Sequence, residues 1–358
     1  MSYEPRFMKR ALELAASADA AVQPNPYVGA VAVREGRIVG EGFHSRFGEA
    51  HAEVKALDID ERLAEGCDLY VTLEPCSHHG KTPPCTDLII KKKVRAVYAA
   101  MEDPNPLVAG EGFRKLKNAG VEVRVGFQEK KARELNRIFI KNILQKRPYI
   151  ILKYAMTADG YIATCTGDSK WISCEESREV VHRLRHNVKG IMVGAGTVLR
   201  DNPRLSARLN PRGWQPVKVI YDPLGEISSP EFHVFEGKGV ILTQQEKYLD
   251  IKGFRNYTLP GGSALSGREF TEVLWKEGLY SLLVEGGAHT IHTLLEAGLV
   301  DEVVVFIAPR ILGGGLSPAG GRGVPKMEMV RPLKDPVWRK VGEDIMLKGK
   351  CHDVYGPH

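Results

Sequence analysis

The sequence predicts an α/β protein built as two domains, and three observations carry this. Short apolar runs of strand composition alternate with amphipathic helical spacing along most of the chain. The 358 residues suit two domains at roughly 100–200 residues each. The helical pattern is cut at Lys146-Arg147-Pro148, and an apolar strand begins at once; proline cannot continue a helix. The boundary is placed at that break, giving domains 1–146 and 147–358.

In the first domain, Phe7, Ala11, Leu12 and Ala15 recur at helical spacing. Residues 28–33 and 37–42 read as a hairpin turning at Glu35-Gly36. A helix over 52–57, a strand over 68–73, a helix over 86–92 and a strand over 96–100 follow. The half closes with a helix over 112–119, a strand over 121–125 and one long charged helix over 129–145. In the second domain strands are expected at 149–154, 191–193, 217–221, 239–243, 282–285 and 303–308. Helices are expected at 177–185, 267–277 and 290–297, and residues 313–323 form a glycine-rich loop.

Composition narrows the function classes. Hydrophobic residues make up 43% and charged residues 26%, the balance of a soluble globular protein. The net charge of +6 is spread out, and the densest run, Lys91-Lys92-Lys93, is short. A nucleic-acid groove calls for a longer basic stripe with interleaved aromatics, so no nucleic-acid partner is expected. A modest positive field suits a phosphorylated small molecule. Glu4, Arg6, Lys9, Arg10 and Glu13 interrupt the N-terminus, which excludes a signal peptide, and no apolar stretch reaches membrane-spanning length. Six cysteines in a chain this long are too sparse for a secreted disulfide scaffold. A cytoplasmic enzyme without a membrane partner is expected, with a homo-oligomer as the usual state of such enzymes.

The most informative stretch is His51-Ala52-Glu53, followed by Pro75-Cys76 and Pro84-Cys85. One imidazole and two thiolates serve zinc well and leave a fourth position for water, whose pKa falls toward neutrality on the metal. Glu53, two residues past His51, is the candidate catalytic carboxylate that shuttles protons to a leaving amine. Base deaminases carry this pattern as His-x-Glu with Pro-Cys-x-x-Cys. Each Pro-Cys opens helix-forming sequence; proline suits a helix N-terminus, and a helix N-terminus stabilises thiolate. Eight residues separate Cys76 from Cys85, where the usual spacing has two. The insertion brings in His78 and His79 as rival ligands. In the second half, Gly194-Ala195-Gly196-Thr197 and Glu285-Gly286-Gly287-Ala288 each follow an apolar strand. Glycines there let backbone approach a phosphate at a helix N-terminus.

Gln23-Pro24-Asn25-Pro26-Tyr27-Val28-Gly29, His51-Ala52-Glu53, the run Thr72 to Cys85 and Asp103-Pro104-Asn105-Pro106 together resemble the bifunctional deaminase–reductase family of riboflavin biosynthesis. The long insertion between the cysteines is the form found in that family. The resemblance runs on through Gly167-Asp168-Ser169-Lys170-Trp171, Val193 to Leu199, Asp201-Asn202-Pro203 and Val284-Glu285-Gly286-Gly287, and covers nearly all of the chain before Leu333.

The resemblance implies a cytidine-deaminase-like three-layer α/β/α first domain and a dihydrofolate-reductase-like second domain. It implies His51, Cys76 and Cys85 as ligands of one zinc ion and Glu53 as proton shuttle. It implies Asn25, His44, Asp103 and Asn105 as holders of a phosphorylated pyrimidine's base and ribose, with Lys81 at its phosphate. For the second domain it implies NADPH, contacted by Ala155, Trp171, Thr197, Asp201 and the run from Gly287. Lys153, Ser169, Arg185, Leu205, Arg208 and Glu285 would contact substrate there. Arg185 and Arg208 have the bidentate geometry of phosphate clamps. The rival is a nucleic-acid deaminase of the tRNA-editing kind, with an accessory nucleotide-binding domain. It shares His-x-Glu and Pro-Cys but favours short cysteine spacing and a basic groove.

Overall fold

A computed structural model describes residues 3–78, 83–208, 213–260, 265–321 and 323–355. The chain divides into two compact units, Met1–Lys146 and Arg147–Gly356.

The first unit runs α1 (Pro5–Ala15), β1 (Gly29–Arg34), β2 (Arg37–Phe43), α2 (Ala52–Ala56), α3 (Glu61–Ala64), β3 (Asp68–Val71), α4 (Cys85–Lys91), β4 (Ala96–Ala99), α5 (Glu111–Asn118), β5 (Glu122–Val125), α6 (Glu129–Leu135) and α7 (Arg137–Gln145). Among the described residues its sheet has the order β2-β1-β3-β4-β5. β1 is antiparallel to β2 and β3, and β3, β4 and β5 are parallel. The β1–β2 turn uses Glu35 at φ 51° and Gly36 at φ 74°, two left-handed residues that match the twist of the flanking strands.

Missing side chains set the helix positions. A Cβ on Gly29 would lie 2.0 Å from the Ala11 carbonyl oxygen of α1. A Cβ on Gly40 or Gly42 would lie 2.1 Å from the Ala56 oxygen or 2.6 Å from the Ala52 oxygen of α2. Gly29 pairs with Phe43 while Gly42 pairs with Ala30, and directly paired residues share a face. Gly29 and Gly42 therefore face opposite ways, and α1 and α2 cover opposite sides of the sheet, as a three-layer arrangement requires.

The expected single helix over 129–145 is two helices. The chain leaves α-helical geometry at Asn136, at φ −96° and ψ 15°. The reason is tertiary. The fully buried Asn136 side chain accepts from the Tyr27 N–H at 2.8 Å and donates to the Tyr27 carbonyl at 3.0 Å. That clamp fixes the proline-rich loop carrying Asn25.

The second unit runs β6 (Tyr149–Thr157), α8 (Glu175–His186), β7 (Gly190–Gly194), α9 (Ala195–Asp201), β8 (Val217–Tyr221), β9 (Gly239–Thr243), β10 (Phe254–Thr258), α10 (Gly267–Lys276), β11 (Ser281–Val284), α11 (Ala288–Glu296), β12 (Glu302–Ala308), β13 (Lys334–Val341) and β14 (Asp344–Lys350). The sheet order is β10-β9-β8-β7-β11-β6-β12-β14-β13, parallel except for β14, which is antiparallel to both its neighbours. Successive β7 residues feed two cores: Met192 packs with Val219, Val240 and Leu282, and Ile191 and Val193 pack with Ile220 and Ile241. A sheet buried on both faces reads as continuous apolar runs for this reason. The sequence reading did not include α9, β10 or the β13–β14 hairpin. Nearly all of β13 is exposed and it contains Pro336, which confines it to an edge.

Asn136→Ala leaves both Tyr27 backbone groups unpaired in the interior. The expected cost is roughly 2 kcal/mol, measured as a lower denaturation midpoint of the first unit; an unchanged midpoint would show that the clamp carries no stability.

Candidate active sites

Two helix N-termini bring the metal-type donors together. His51 precedes α2 as its N-cap, and Cys85 is the first residue of α4 behind Pro84. Cys76 follows β3. His51 Nδ1 lies 3.3 Å from Cys85 Sγ and 3.6 Å from Cys76 Sγ, and the three donor atoms lie within 4.8 Å of one another. Tetrahedral zinc, with its usual bonds to imidazole nitrogen and thiolate, sets nitrogen and sulfur about 3.5 Å apart. The donor set fits zinc in chemistry and in spacing. Among the described residues these three form the cluster. His78 lines the cavity beside it, and His79 lies outside the described residues.

The protons are unevenly shared. Cys76 is held down to about 4, first by the hydrogen bond from the Cys85 thiol. The same bond pushes Cys85 up. The hydrogen bond to Cys76 raises His51. Glu53, on the first turn of α2 and 4% exposed, is pushed up to about 7, chiefly by burial and then by the Cys76 charge.

The cavity above the donors measures about 360 Å³ and is lined by Asn25, His44, Glu53, Cys76, Asp103 and Asn105, among others. That volume is in the range of small-molecule sites. Asn25 Nδ2 and His44 Nε2 are 3.0 Å apart. His44 is lowered, first by burial. Asp103 Oδ1 accepts from the Asn105 N–H at 2.8 Å, and burial is the first cause raising Asp103. Lys81 lies outside the described residues.

One residue of this site carried no role in the sequence reading. The buried Glu74 carboxylate accepts from the N–H groups of Asp103 at 3.1 Å, Gly110 at 2.9 Å, Gly112 at 2.8 Å and Phe113 at 3.3 Å. It ties the strand leading to Cys76 to the Asp103–Asn105 loop and meets the start of α5, where a negative charge is favoured. Its only sequence signal is an acidic residue in an otherwise apolar stretch directly before Pro75-Cys76.

In the second unit, the carboxyl ends of the neighbouring parallel strands β7 and β11 lead to α9 and α11. Crevices of this kind, at strand carboxyl ends, hold ligands in open α/β sheets. A Cβ on Gly194 would lie 2.3 Å from Thr290 Oγ1, and one on Gly286 would lie 2.7 Å from Thr290 Cβ; only glycine lets α11 approach so closely. Gly287 faces Thr197 Oγ1 at 3.7 Å from its Cβ position. Glycine turns before helix N-termini fit a dinucleotide phosphate.

Beside them, Arg185 grips Glu285 through two bonds of 2.7 and 3.0 Å and donates to the Ser206 carbonyl at 3.0 Å. Lys153 Nζ lies 3.9 Å from Glu285. Burial pushes Glu285 up, but Arg185 and Lys153 outweigh it and hold the carboxyl at about 2. Leu205 is buried at φ 55°, and the Arg208 N–H donates to His182 Nδ1 at 3.4 Å. The structure thus links Lys153, Arg185 and Glu285 directly, and Arg185 also reaches the Ser206 carbonyl, next in the chain to Leu205. Lys170 Nζ reaches Asp201 at 3.9 Å. The half-buried Ser169 and the exposed Trp171 flank Lys170, and Arg178 covers the Trp171 ring at 4.8 Å. Ala155, on β6, pairs with Phe306 of β12.

A histidine and a cysteine at helix N-termini and a second cysteine in the loop after β3, where the expected helix start behind Pro75 does not occur, lie beside a buried glutamate and define the first unit as a zinc-type base deaminase; the second is a dihydrofolate-reductase-like α/β unit. The family model for the cytidine and deoxycytidylate deaminase zinc-binding region matches residues 1–101, and that for the RibD C-terminal domain matches residues 148–347. Riboflavin biosynthesis protein RibD of Aquifex aeolicus is 43% identical over 350 residues, covering 96% of this chain and 97% of its own. The Escherichia coli protein of that name is 38% identical over 361 residues, covering 95% and 97%. A solved diaminohydroxyphosphoribosylaminopyrimidine deaminase and phosphoribosylaminouracil reductase from Thermotoga maritima superposes with a TM-score of 0.88 at 39% identity, covering 97% and 98%. The chain belongs to the RibD family, the bifunctional deaminase–reductases of riboflavin biosynthesis. The tRNA-editing alternative is not favoured, because the family match spans both units.

Two predictions follow from these contacts. Glu74→Ala strips four N–H groups of their acceptor; the first unit is expected to lose roughly 2 kcal/mol, with zinc retained. Equal midpoints for variant and wild type would refute this. Arg185→Gln leaves Glu285 with Lys153 alone and costs roughly 3 kcal/mol at pH 7. A depressed carboxyl contributes stability that is full above its unfolded value and is lost as pH falls through its folded one. For Glu285 that window runs from the ordinary glutamate value down to about 2. The gap between wild type and variant should therefore narrow between pH 7 and pH 3.5 (both values experimental settings, the first about two and a half units above the window and the second about one unit inside it). A gap of constant size in thermal unfolding would contradict the assignment.

Proposed function

We propose that the first unit hydrolytically deaminates a diaminopyrimidinone ribosyl phosphate and that the second reduces the ribosyl side chain of the product to ribityl with NADPH. The observation that carries the reading is the buried Glu53 carboxylate beside the clustered His51, Cys76 and Cys85 donors, with Glu53, His51 and Cys76 lining one cavity. Zinc, when bound by those three residues, supplies the acidity that readies a water at neutral pH. Glu53 takes the proton of that water and gives it to the departing amino group. Asn25, His44, Asp103 and Asn105 hold the base and ribose, and Lys81 the phosphate. Burial of Glu53 excludes bulk water from the proton transfer.

In the second unit NADPH supplies the two reducing electrons. Ala155, Trp171, Thr197, Asp201 and Gly287 hold the cofactor. Lys153, Ser169, Arg185, Leu205, Arg208 and Glu285 hold the substrate, with Arg185 fixed by Glu285. A cytoplasmic setting and a homo-oligomeric state belong to the same reading; the six cysteines are free thiols, which suits a reducing compartment. Among the described residues no helix is long and apolar enough to cross a membrane.

A coupled assay with the diaminopyrimidinone ribosyl phosphate tests this, following ammonia release and NADPH oxidation separately, with and without a zinc chelator. Zinc-dependent ammonia release followed by NADPH oxidation is expected. Glu53→Gln should keep its zinc and lose at least about 100-fold in ammonia release. Ammonia without oxidation would overturn the reductase assignment, and no ammonia from zinc-loaded protein would overturn the substrate.

A further inference from the structure

Two loops leave the same end of the second sheet side by side. β6 and β12 are parallel neighbours, and Thr157 and Ala308 are their last paired residues. The loop after β6 carries Ser169 and Trp171, and the loop after β12 runs into the glycine-rich stretch. Asp159 joins the two. Its carboxylate accepts from the Leu312 N–H at 3.1 Å and the Gly313 N–H at 2.8 Å, and the Thr157 hydroxyl donates to it at 2.6 Å. That hydroxyl, first among the causes, holds the Asp159 carboxyl below its usual range; an ionised carboxylate only accepts. Arg310 closes the link from the other side. Its guanidinium donates to the Trp171 carbonyl at 2.7 Å, and its own carbonyl accepts from the Ala158 N–H at 2.8 Å. Farther along, the Ile162 N–H donates to the Leu316 carbonyl and the Leu316 N–H to the Ala163 carbonyl, each at 2.9 Å. A Cβ on Gly315 would lie 2.2 Å from the Ala163 oxygen, so any side chain there would part the loops.

Trp171 is the residue this lacing holds. Its ring is 63% exposed, yet Arg178 of α8 covers it at 4.8 Å while Arg310 binds its backbone. We propose that Asp159 and Arg310 are positioning residues of the reductase: they clasp the loop after β6 to the loop after β12 and so set Trp171 in place for the nicotinamide cofactor before it binds. This deepens the reductase reading and rests on it for the role of Trp171. A loop fixed in advance has little conformational freedom left to lose when a ligand arrives. Breaking the clasp moves that ordering cost onto binding. The expected signature is a raised KM with the chemical step unchanged.

Amide hydrogen exchange on the full-length, zinc-loaded protein without NADPH reads the clasp itself. Asp159→Ala and Arg310→Ala should each speed exchange about tenfold in residues 158–173 and 309–316, one hydrogen bond to a charged group being worth at least that. Unchanged exchange in those segments would overturn the proposal. Kinetics on supplied deaminated product read the consequence. In Arg310→Ala the KM for NADPH should rise about tenfold while kcat stays within about threefold of wild type. Arg310→Lys still offers a donor to the Trp171 carbonyl and should recover most of the loss. Faster exchange with an unmoved KM would make the clasp merely structural and overturn the proposal, as would equal KM values in the alanine and lysine variants. Thermal midpoint and ammonia release monitor folding. Should either alanine variant fail to fold, Asp159→Asn, which keeps one oxygen as acceptor and removes the charge, carries the same two measurements. If wild-type protein oxidises no NADPH on the deaminated product, the reductase reading fails and takes the proposal with it; a normal wild-type rate with no KM change in the variants overturns the proposal alone.

Discussion

A buried thiolate beside a buried carboxylate is an arrangement that folding opposes, and the first unit is organised around overcoming that opposition. Cys76, Cys85, His51 and Glu53 would repel or protonate one another if simply packed together, because the interior penalises unpaired charge. Helix N-termini offset part of the cost: His51 caps α2 and Cys85 opens α4. The Cys85 N–H donates to Cys76 Sγ at 3.3 Å, so backbone as well as side chains turn toward the sulfur. A divalent cation held by His51, Cys76 and Cys85 would complete the balance. Glu74 extends the same logic outward, gathering four N–H groups of the neighbouring loop around one carboxylate.

The second unit meets the same problem with ion pairs in place of a metal. Glu285 sits at the end of a strand buried on both faces, where a lone carboxylate would be protonated. Arg185 and Lys153 keep it charged, and the charge in turn holds the guanidinium in one orientation. The glycines at Gly194 and Gly286 serve a different need, the close approach of α11 to the sheet.

What the sequence disclosed depended on how local each cause was. His51, Glu53 and the two Pro-Cys pairs were legible because the chemistry of each lies within a few residues, although only Pro84-Cys85 of the two pairs opens a helix. The strands of both sheets were legible because burial on both faces leaves continuous apolar runs. The break between α6 and α7 was not, since its cause is Tyr27, 109 residues earlier. Glu74 was passed over for a similar reason: its four partners lie 29 to 39 residues ahead. β13 was hidden by its exposure, which removes the alternation that marks a strand, and α9 by its start in glycine-rich sequence that reads as a turn. The resemblance supplied residue roles that no local pattern carried, and Lys81, one of these, falls in a stretch the structure does not describe.

The packing of α2 on β2 has an outcome for the placement of Glu53. Gly40 and Gly42 let the carbonyls of Ala52 and Ala56 come to within van der Waals distance of bare backbone. The depth of α2, and with it the height of Glu53 above the donors, is therefore set by two methyl groups that are absent. A mutation to alanine at either place, the mildest the genetic code allows there, would lift the helix and carry the proton shuttle with it. The placement of the carboxylate is thus governed through the packing of a helix on bare backbone of β2, at positions that carry no functional side chain.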